Sequence, residues 1–128
     1  MMRILLLAAL ALASCSKSEP AKTTKHDPTA EIQKDPATAR KLIASGATVL
    51  DVRTPEEFSS GHVASATNMP VDDLAQHTAD VDKLVGGDKT KPVVTYCASG
   101  GRAQKAKQLL EAAGYTNVVN GGGYKDLR

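Results

Sequence analysis

The 128-residue chain predicts a single α/β domain with a parallel sheet covered by helices on both faces. Three observations predict it. Helical and strand-like patterns alternate from about residue 35 to the C-terminus. The strand patterns are short and largely apolar along their whole length (Thr48–Val52, Val93–Tyr96), as strands buried on both faces are. The length leaves room for one domain and no internal repeat is visible.

Residues 1–14 stand apart from that domain. Arg3 supplies a basic start, Ile4–Leu12 an unbroken run of nine apolar residues, and small residues lead up to Cys15. A bilayer span takes about 20 residues, so an export signal is expected. Leu12-Ala13-Ser14-Cys15 resembles the bacterial lipobox, which implies cleavage before Cys15 and acylation of that cysteine. An ordinary secretory signal with an incidental cysteine is the other reading. The expected location is the periplasmic side of a bacterial membrane, with the chain held to the lipid through Cys15, or soluble there if Cys15 carries no lipid. Residues 15–30 are polar, with Pro20 and Pro28, and are expected to form a flexible tether with a reach of roughly 20 Å. His26 is an isolated imidazole within it. The domain proper is expected over residues 31–128.

Within the domain, Asp35-Pro36 reads as an N-cap followed by Pro at the first helical position, with Ala39, Leu42 and Ile43 as the apolar stripe and Gly46 as the stop. Thr48–Val52 is a buried strand. Thr54-Pro55-Glu56-Glu57-Phe58 opens a short helix with a cap, a proline and acidic first-turn residues, ended by Gly61. Ala66–Met69 is a weak strand broken by Pro70. Asp72–Leu84 is expected to be helical, in one piece or two, and is turned by Gly86-Gly87. Val93–Tyr96 is the next strand. Arg102–Ala113 carries Ala106, Leu109, Leu110 and Ala113 on one face, with Gly114 past its end. Asn117–Asn120 is the last strand, followed by Gly121-Gly122-Gly123 and a short tail.

Charge and composition narrow the function. Loss of residues 1–14 removes Arg3 alone, leaving 15 basic against 14 acidic residues, a net of +1. With one Phe, three Tyr and no Trp, the chain has neither the basic field nor the stacking surfaces of a nucleic-acid binder. Three widely separated histidines, with no second thiol once Cys15 is acylated, make no metal site, and no cofactor is expected.

Cys97 is then the only thiol, delivered by an apolar strand onto a loop, Ala98-Ser99-Gly100-Gly101-Arg102, that opens into a helix. In such sheets working residues gather at the carboxyl ends of strands, where Asp51 and Cys97 both lie. A free cysteine, with a pKa of about 8.5, is only a few per cent thiolate at neutral pH. Lowering that by about two units needs about 2.7 kcal/mol. An N–H bond to a charged acceptor contributes about 1.5–3 kcal/mol, and a helix dipole about 0.3–1. Two or three loop amides therefore outweigh the dipole, and Gly100 and Gly101 let the backbone turn inward to supply them.

Leu50-Asp51-Val52-Arg53, Glu57-Phe58, Gly61-His62-Val63, Ala66, Asn68-Met69-Pro70, Tyr96-Cys97 and the Cys-x-x-Gly-x-Arg loop together resemble a single-domain rhodanese. The resemblance runs from the first strand to Gly122. It implies a sheet of about five parallel strands and a sulfurtransferase whose cysteine cycles through a persulfide. It implies a small sulfur-containing anion such as thiosulfate as donor, and cyanide or a thiol as acceptor. With the signal in front, the chain looks like the periplasmic, membrane-tethered members. Ala98 stands where many members carry a basic residue, Ser65 where Gly is common, and Tyr124 near a frequent Trp.

Cysteine phosphatases use Cys-x5-Arg. Here Arg102 comes one residue earlier, a tighter cradle suited to a sulfur atom. Arg102 either offers positive potential to the anion or pairs with a carboxylate to brace the loop. Asp51, Arg53 and Glu57 are expected in support, with Arg53 and Glu57 as an ion pair and Asp51 as a brace. His62 is expected to be a hydrogen-bonded turn residue and His77 to face solvent. A persulfide carrier in a sulfur relay and a non-catalytic binding module remain as alternatives, and the intact Cys97 argues against the second.

Overall fold

A computed structural model describes residues 32–128. The export signal, Cys15, His26 and the tether lie outside the described residues. The elements run α1 (Pro36–Ala44), β1 (Thr48–Asp51), α2 (Pro55–Ser59), β2 (Ala66–Asn68), α3 (Val71–Leu74), α4 (Thr78–Leu84), β3 (Val93–Cys97), α5 (Gly101–Ala112), β4 (Val118–Gly123) and α6 (Tyr124–Leu127). Local chemistry accounts for the starts. The Asp35 carboxylate accepts the Thr38 N–H at 3.1 Å ahead of Pro36. Thr54 and Glu57 form a reciprocal capping box at α2.

The strands form one parallel sheet in the order β2-β1-β3-β4. The chain leaves β1 toward β2 on one side and β3 toward β4 on the other, so the winding reverses between β1 and β3. A crevice opens at the carboxyl ends of strands at such a reversal, and Cys97 is the last residue of β3.

Side-chain alternation divides the core into two layers. On one face Leu50, Val93 and Cys97 pack with Leu74 of α3, Val81 of α4 and Ala103, Ala106 and Leu110 of α5. On the other, Val49, Val94 and Tyr96 pack with Ala39 of α1 and Leu127 of α6. Helices thus cover both faces, as expected.

Two expectations about the strands are corrected. The described sheet has four strands, not five. The segment before α1 meets the outer edge of β4 through the Asp35 N–H, which donates to the Asn120 carbonyl at 2.8 Å, but the chain turns into α1 at Pro36 and no ladder grows. Gly121–Gly123 belong to β4 rather than following it, and the tail is a helical turn. The pairing shifts between Thr95↔Asn120 and Cys97↔Gly123, so β4 carries one extra residue there. This bulge holds Gly122 at φ +87°, a conformation that favours glycine.

The two central strands are tied on the α1/α6 face by a buried ionic network. Arg53 grips Asp51 through Nε at 2.9 Å and Nη2 at 2.6 Å, and the Tyr96 hydroxyl donates to the same carboxylate at 2.8 Å. Arg53 also donates to the Gly61 carbonyl at 2.7 Å, and Tyr96 accepts the Val63 N–H at 3.0 Å. The expected Arg53–Glu57 pair is therefore corrected: Arg53 is committed to Asp51, beside it on the strand end. Burial, with the Asp51 charge adding to it, pushes the Tyr96 hydroxyl pKa upward. Removing one partner of a buried ion pair costs about 3–5 kcal/mol, against about 5–15 for a whole domain. Asp51→Asn is expected to lower the unfolding free energy by about 3–5 kcal/mol in urea titration. The folded fraction should keep the wild-type alkylation rate at Cys97, because Asp51 lies on the opposite face of the sheet.

Candidate active site

Cys97 ends a strand whose five residues are all buried, and only 1 % of its surface is exposed. Its sulfur lies beneath the loop that follows. The Gly100 N–H donates to Sγ at 2.9 Å, with Gly100 at φ +108°. A residue with a Cβ is strained in that conformation. Ala98 and Ser99 form the exposed lip of the loop, Gly100 is buried under it, and Gly101 and Arg102 begin α5. Two or three amides were expected on the sulfur; the hydrogen bond observed there is Gly100's.

The loop rests on β4 without room to spare. A Cβ on Gly123 would lie 2.5 Å from the Ala98 carbonyl oxygen, and one on Gly100 would lie 3.4 Å from the Gly122 Cα. Asn120, 2 % exposed, donates from Nδ2 to the Gly100 carbonyl at 3.1 Å. Beneath it, the Thr95 hydroxyl donates to the Ala103 carbonyl at 3.0 Å, tying β3 to the first turn of α5.

Arg102 and Glu57 close the site across the reversal point, one from the helix after β3 and one from the helix after β1. Two hydrogen bonds join them, at 2.7 and 3.0 Å. The Arg102 guanidinium holds the Glu57 carboxyl down to about 2. Glu57 raises the pKa of Arg102 in turn, and the Cys97 sulfur does so to a smaller extent. Of the two readings of Arg102, the structure displays the carboxylate pairing. Its partner is Glu57, which sequence spacing had assigned to Arg53.

A thiol at the carboxyl end of a central strand, capped by a glycine amide, is an arrangement that suits a nucleophile. A model of the family described as "Rhodanese-like domain" matches residues 35–127. The chain belongs to that family.

Among its rhodanese-like relatives, it is 37 % identical over 78 residues to Thiosulfate sulfurtransferase PspE of Escherichia coli (strain K12), covering 61 % of this chain and 71 % of that protein. It is 35 % identical over 97 residues to Thiosulfate:glutathione sulfurtransferase of Homo sapiens, covering 68 % and 84 %. Among solved structures, a rhodanese with anions from E. coli superposes with a TM-score of 0.57 at 36 % identity, covering 63 % of this chain and 91 % of that one. The human single-domain sulfurtransferase TSTD1 gives 0.56 at 31 % identity, covering 70 % and 88 %.

The remaining expected residues are placed as follows. His62 donates from Nδ1 to the Phe58 carbonyl at 2.8 Å and stacks on the Phe58 ring, a local structural role. His77 is half exposed beside Asp80. Sequence reasoning missed Asn120, Thr95 and the close fit at Gly123. The available signal was a polar residue interrupting each of two apolar strands, in Val93-Val94-Thr95-Tyr96 and Val118-Val119-Asn120.

Gly123→Ala is expected to push the loop off β4, costing about 1–3 kcal/mol of stability and slowing Cys97 alkylation in the folded protein. The Glu57–Arg102 pair sets an acid limit. Glu57 ordinarily titrates near 4.5 and in the folded protein near 2, so the pair's contribution is complete above about 4.5 and is lost as pH falls toward 2. The gap in Tm between wild type and Glu57→Gln should be present at neutral pH and narrow over that window, as differential scanning calorimetry would measure.

Proposed function

We propose that the protein is a sulfurtransferase that moves sulfane sulfur through a persulfide on Cys97. The observation that carries the reading is the placement of the Cys97 sulfur at the β1/β3 reversal point under the Gly100 amide. The names of the relatives support thiosulfate as donor. The Cys97 thiolate attacks the outer sulfur of thiosulfate; the S–S bond of the donor breaks, its electron pair leaves with sulfite, and Cys97 carries the outer sulfur as an anionic persulfide. An incoming cyanide or thiolate then attacks that sulfur, forming thiocyanate or a new persulfide, and the bonding pair returns to Cys97 as thiolate. Charge balances in each half, and no redox partner is consumed.

The role of the chain is positional. Gly100 offers its N–H to the negative sulfur, Arg102 adds positive potential, and Glu57 keeps the guanidinium oriented. Ala98 and Ser99 form the mouth. The name of the human relative supports a small thiol as acceptor. We also propose that the protein works on the periplasmic side of a bacterial membrane, tethered by acylated Cys15. The nine-residue apolar run and the Leu-Ala-Ser-Cys sequence support this.

Incubation with thiosulfate is expected to make the protein heavier by one sulfur atom on Cys97, by mass spectrometry of peptides, with Cys97→Ala unchanged and steady-state kinetics of the ping-pong form. A wild-type protein that gains no sulfur overturns the reading. Labelled palmitate should enter the wild-type chain and not Cys15→Ser; equal labelling of both overturns the anchor.

A further inference from the structure

We propose that Asn120 is a positioning residue for Cys97: its carboxamide fixes the Gly100 peptide so that the N–H of Gly100 stays aimed at the sulfur. The inference rests on the sulfurtransfer reading for its purpose, but its geometry stands alone.

Every polar group of the Asn120 side chain is used. Nδ2 donates to the Gly100 carbonyl at 3.1 Å and to Gln104 Oε1 at 3.2 Å, and Oδ1 accepts the Gly122 N–H at 2.9 Å. The residue is 2 % exposed, so these bonds have little competition from water. Two hydrogens and one carbonyl oxygen meet three partners, which settles the orientation of the amide. The opposite orientation would set its oxygen against the Gly100 carbonyl.

The loop needs such a clamp. It contains two consecutive glycines, the residues with the most backbone freedom, and α5 begins with no side-chain hydrogen bond at its N-cap, Gly100. Gly100 is held at both ends instead, by its N–H on Sγ and by its carbonyl, which accepts from the Gln104 N–H at 2.9 Å within α5 and from Asn120 on β4. In a trans peptide the C=O and the following N–H point in opposite directions. Anchoring the Gly100 carbonyl to β4 therefore also turns the Gly101 N–H away from β4. Without Asn120, the Gly100 carbonyl keeps only the Gln104 N–H at 2.9 Å, the first bond of α5, and its tie to β4 is lost, so the amide that faces the sulfur is held less firmly in its aim. The β4 bulge has a matching role: the Gly122 N–H that it presents is the donor that holds Oδ1.

A merely structural asparagine would lower stability and leave the thiol of the folded protein unaltered. The test is the pH profile of Cys97 alkylation by iodoacetamide in the full chain carrying Cys15→Ser, so that Cys97 is the only thiol. Asn120→Asp keeps an acceptor for Gly122 and sets a carboxylate oxygen against the Gly100 carbonyl; Asn120→Ala removes the clamp without adding charge. Both are expected to move the profile to higher pH by about one unit, an alkylation rate about tenfold lower at a fixed pH below the midpoint. Gln104→Ala, which removes only the second acceptor of Nδ2, should leave the profile in place.

Variants that unfold cooperatively and keep the wild-type profile overturn the proposal. Should neither Asn120 variant fold, the side-chain amide resonances of Asn120 in the wild-type protein decide. Shifts that follow the titration of Cys97 support the clamp, and shifts that ignore it overturn the clamp. Thiosulfate loading, measured separately, distinguishes the two claims: a chain that gains no sulfur refutes the transfer reaction and leaves the alkylation result intact.

Discussion

The approach of the Gly100 N–H to the Cys97 sulfur, at 2.9 Å, is the contact on which the other features of the site depend. It requires the chain to leave a buried strand, fold back over the last side chain of that strand and enter a helix within a few residues. Only a residue free to adopt φ +108° makes that turn at Gly100 without strain. The sulfur is otherwise buried among apolar side chains, where a negative charge without a donor is costly. One well-aimed amide changes that balance, because a hydrogen bond to a charged acceptor is roughly twice as strong as a neutral one.

The neighbouring structure keeps the turn from relaxing. The bulge in β4 brings Gly122 and Gly123 against the loop, leaving no room for a Cβ at Gly123. The ion pair of Arg102 and Glu57 ties the start of α5 to α2 across the reversal of the sheet. The Asp51–Arg53–Tyr96 network lies on the far face and locks the two central strands at their carboxyl ends. The two faces thus divide the work: one carries the Cys97 sulfur, and the other carries the buried charges that fix its platform. A negative carboxylate directly under the sulfur would oppose an anionic donor, and strand alternation keeps Asp51 away from it.

Much of this was legible in the sequence, and for physical reasons. Pro and Gly punctuation, caps and short apolar runs located the helices before α6 and the four described strands, because those signals act within a few residues. Cys97, its glycine turn and the helix after it are contiguous, so their chemistry could be read directly. Partners distant in sequence were harder. Spacing suggested Arg53 with Glu57, but strand geometry brings Arg53 back onto Asp51 and leaves Glu57 for Arg102, 45 residues on. Asn120 was invisible as a clamp because its value comes from a carbonyl 20 residues earlier. The role of Gly121–Gly123 inside β4, rather than after it, likewise depends on pairing with Cys97.

The most direct test of the account is a crystal structure of the protein after treatment with thiosulfate. The predicted result is one additional sulfur bonded to Cys97 Sγ, enclosed by the loop, with the Gly100 N–H still directed at the sulfur pair and its carbonyl still on Asn120. An unmodified Cys97, or an outer sulfur turned away from the loop into the apolar layer, would contradict it.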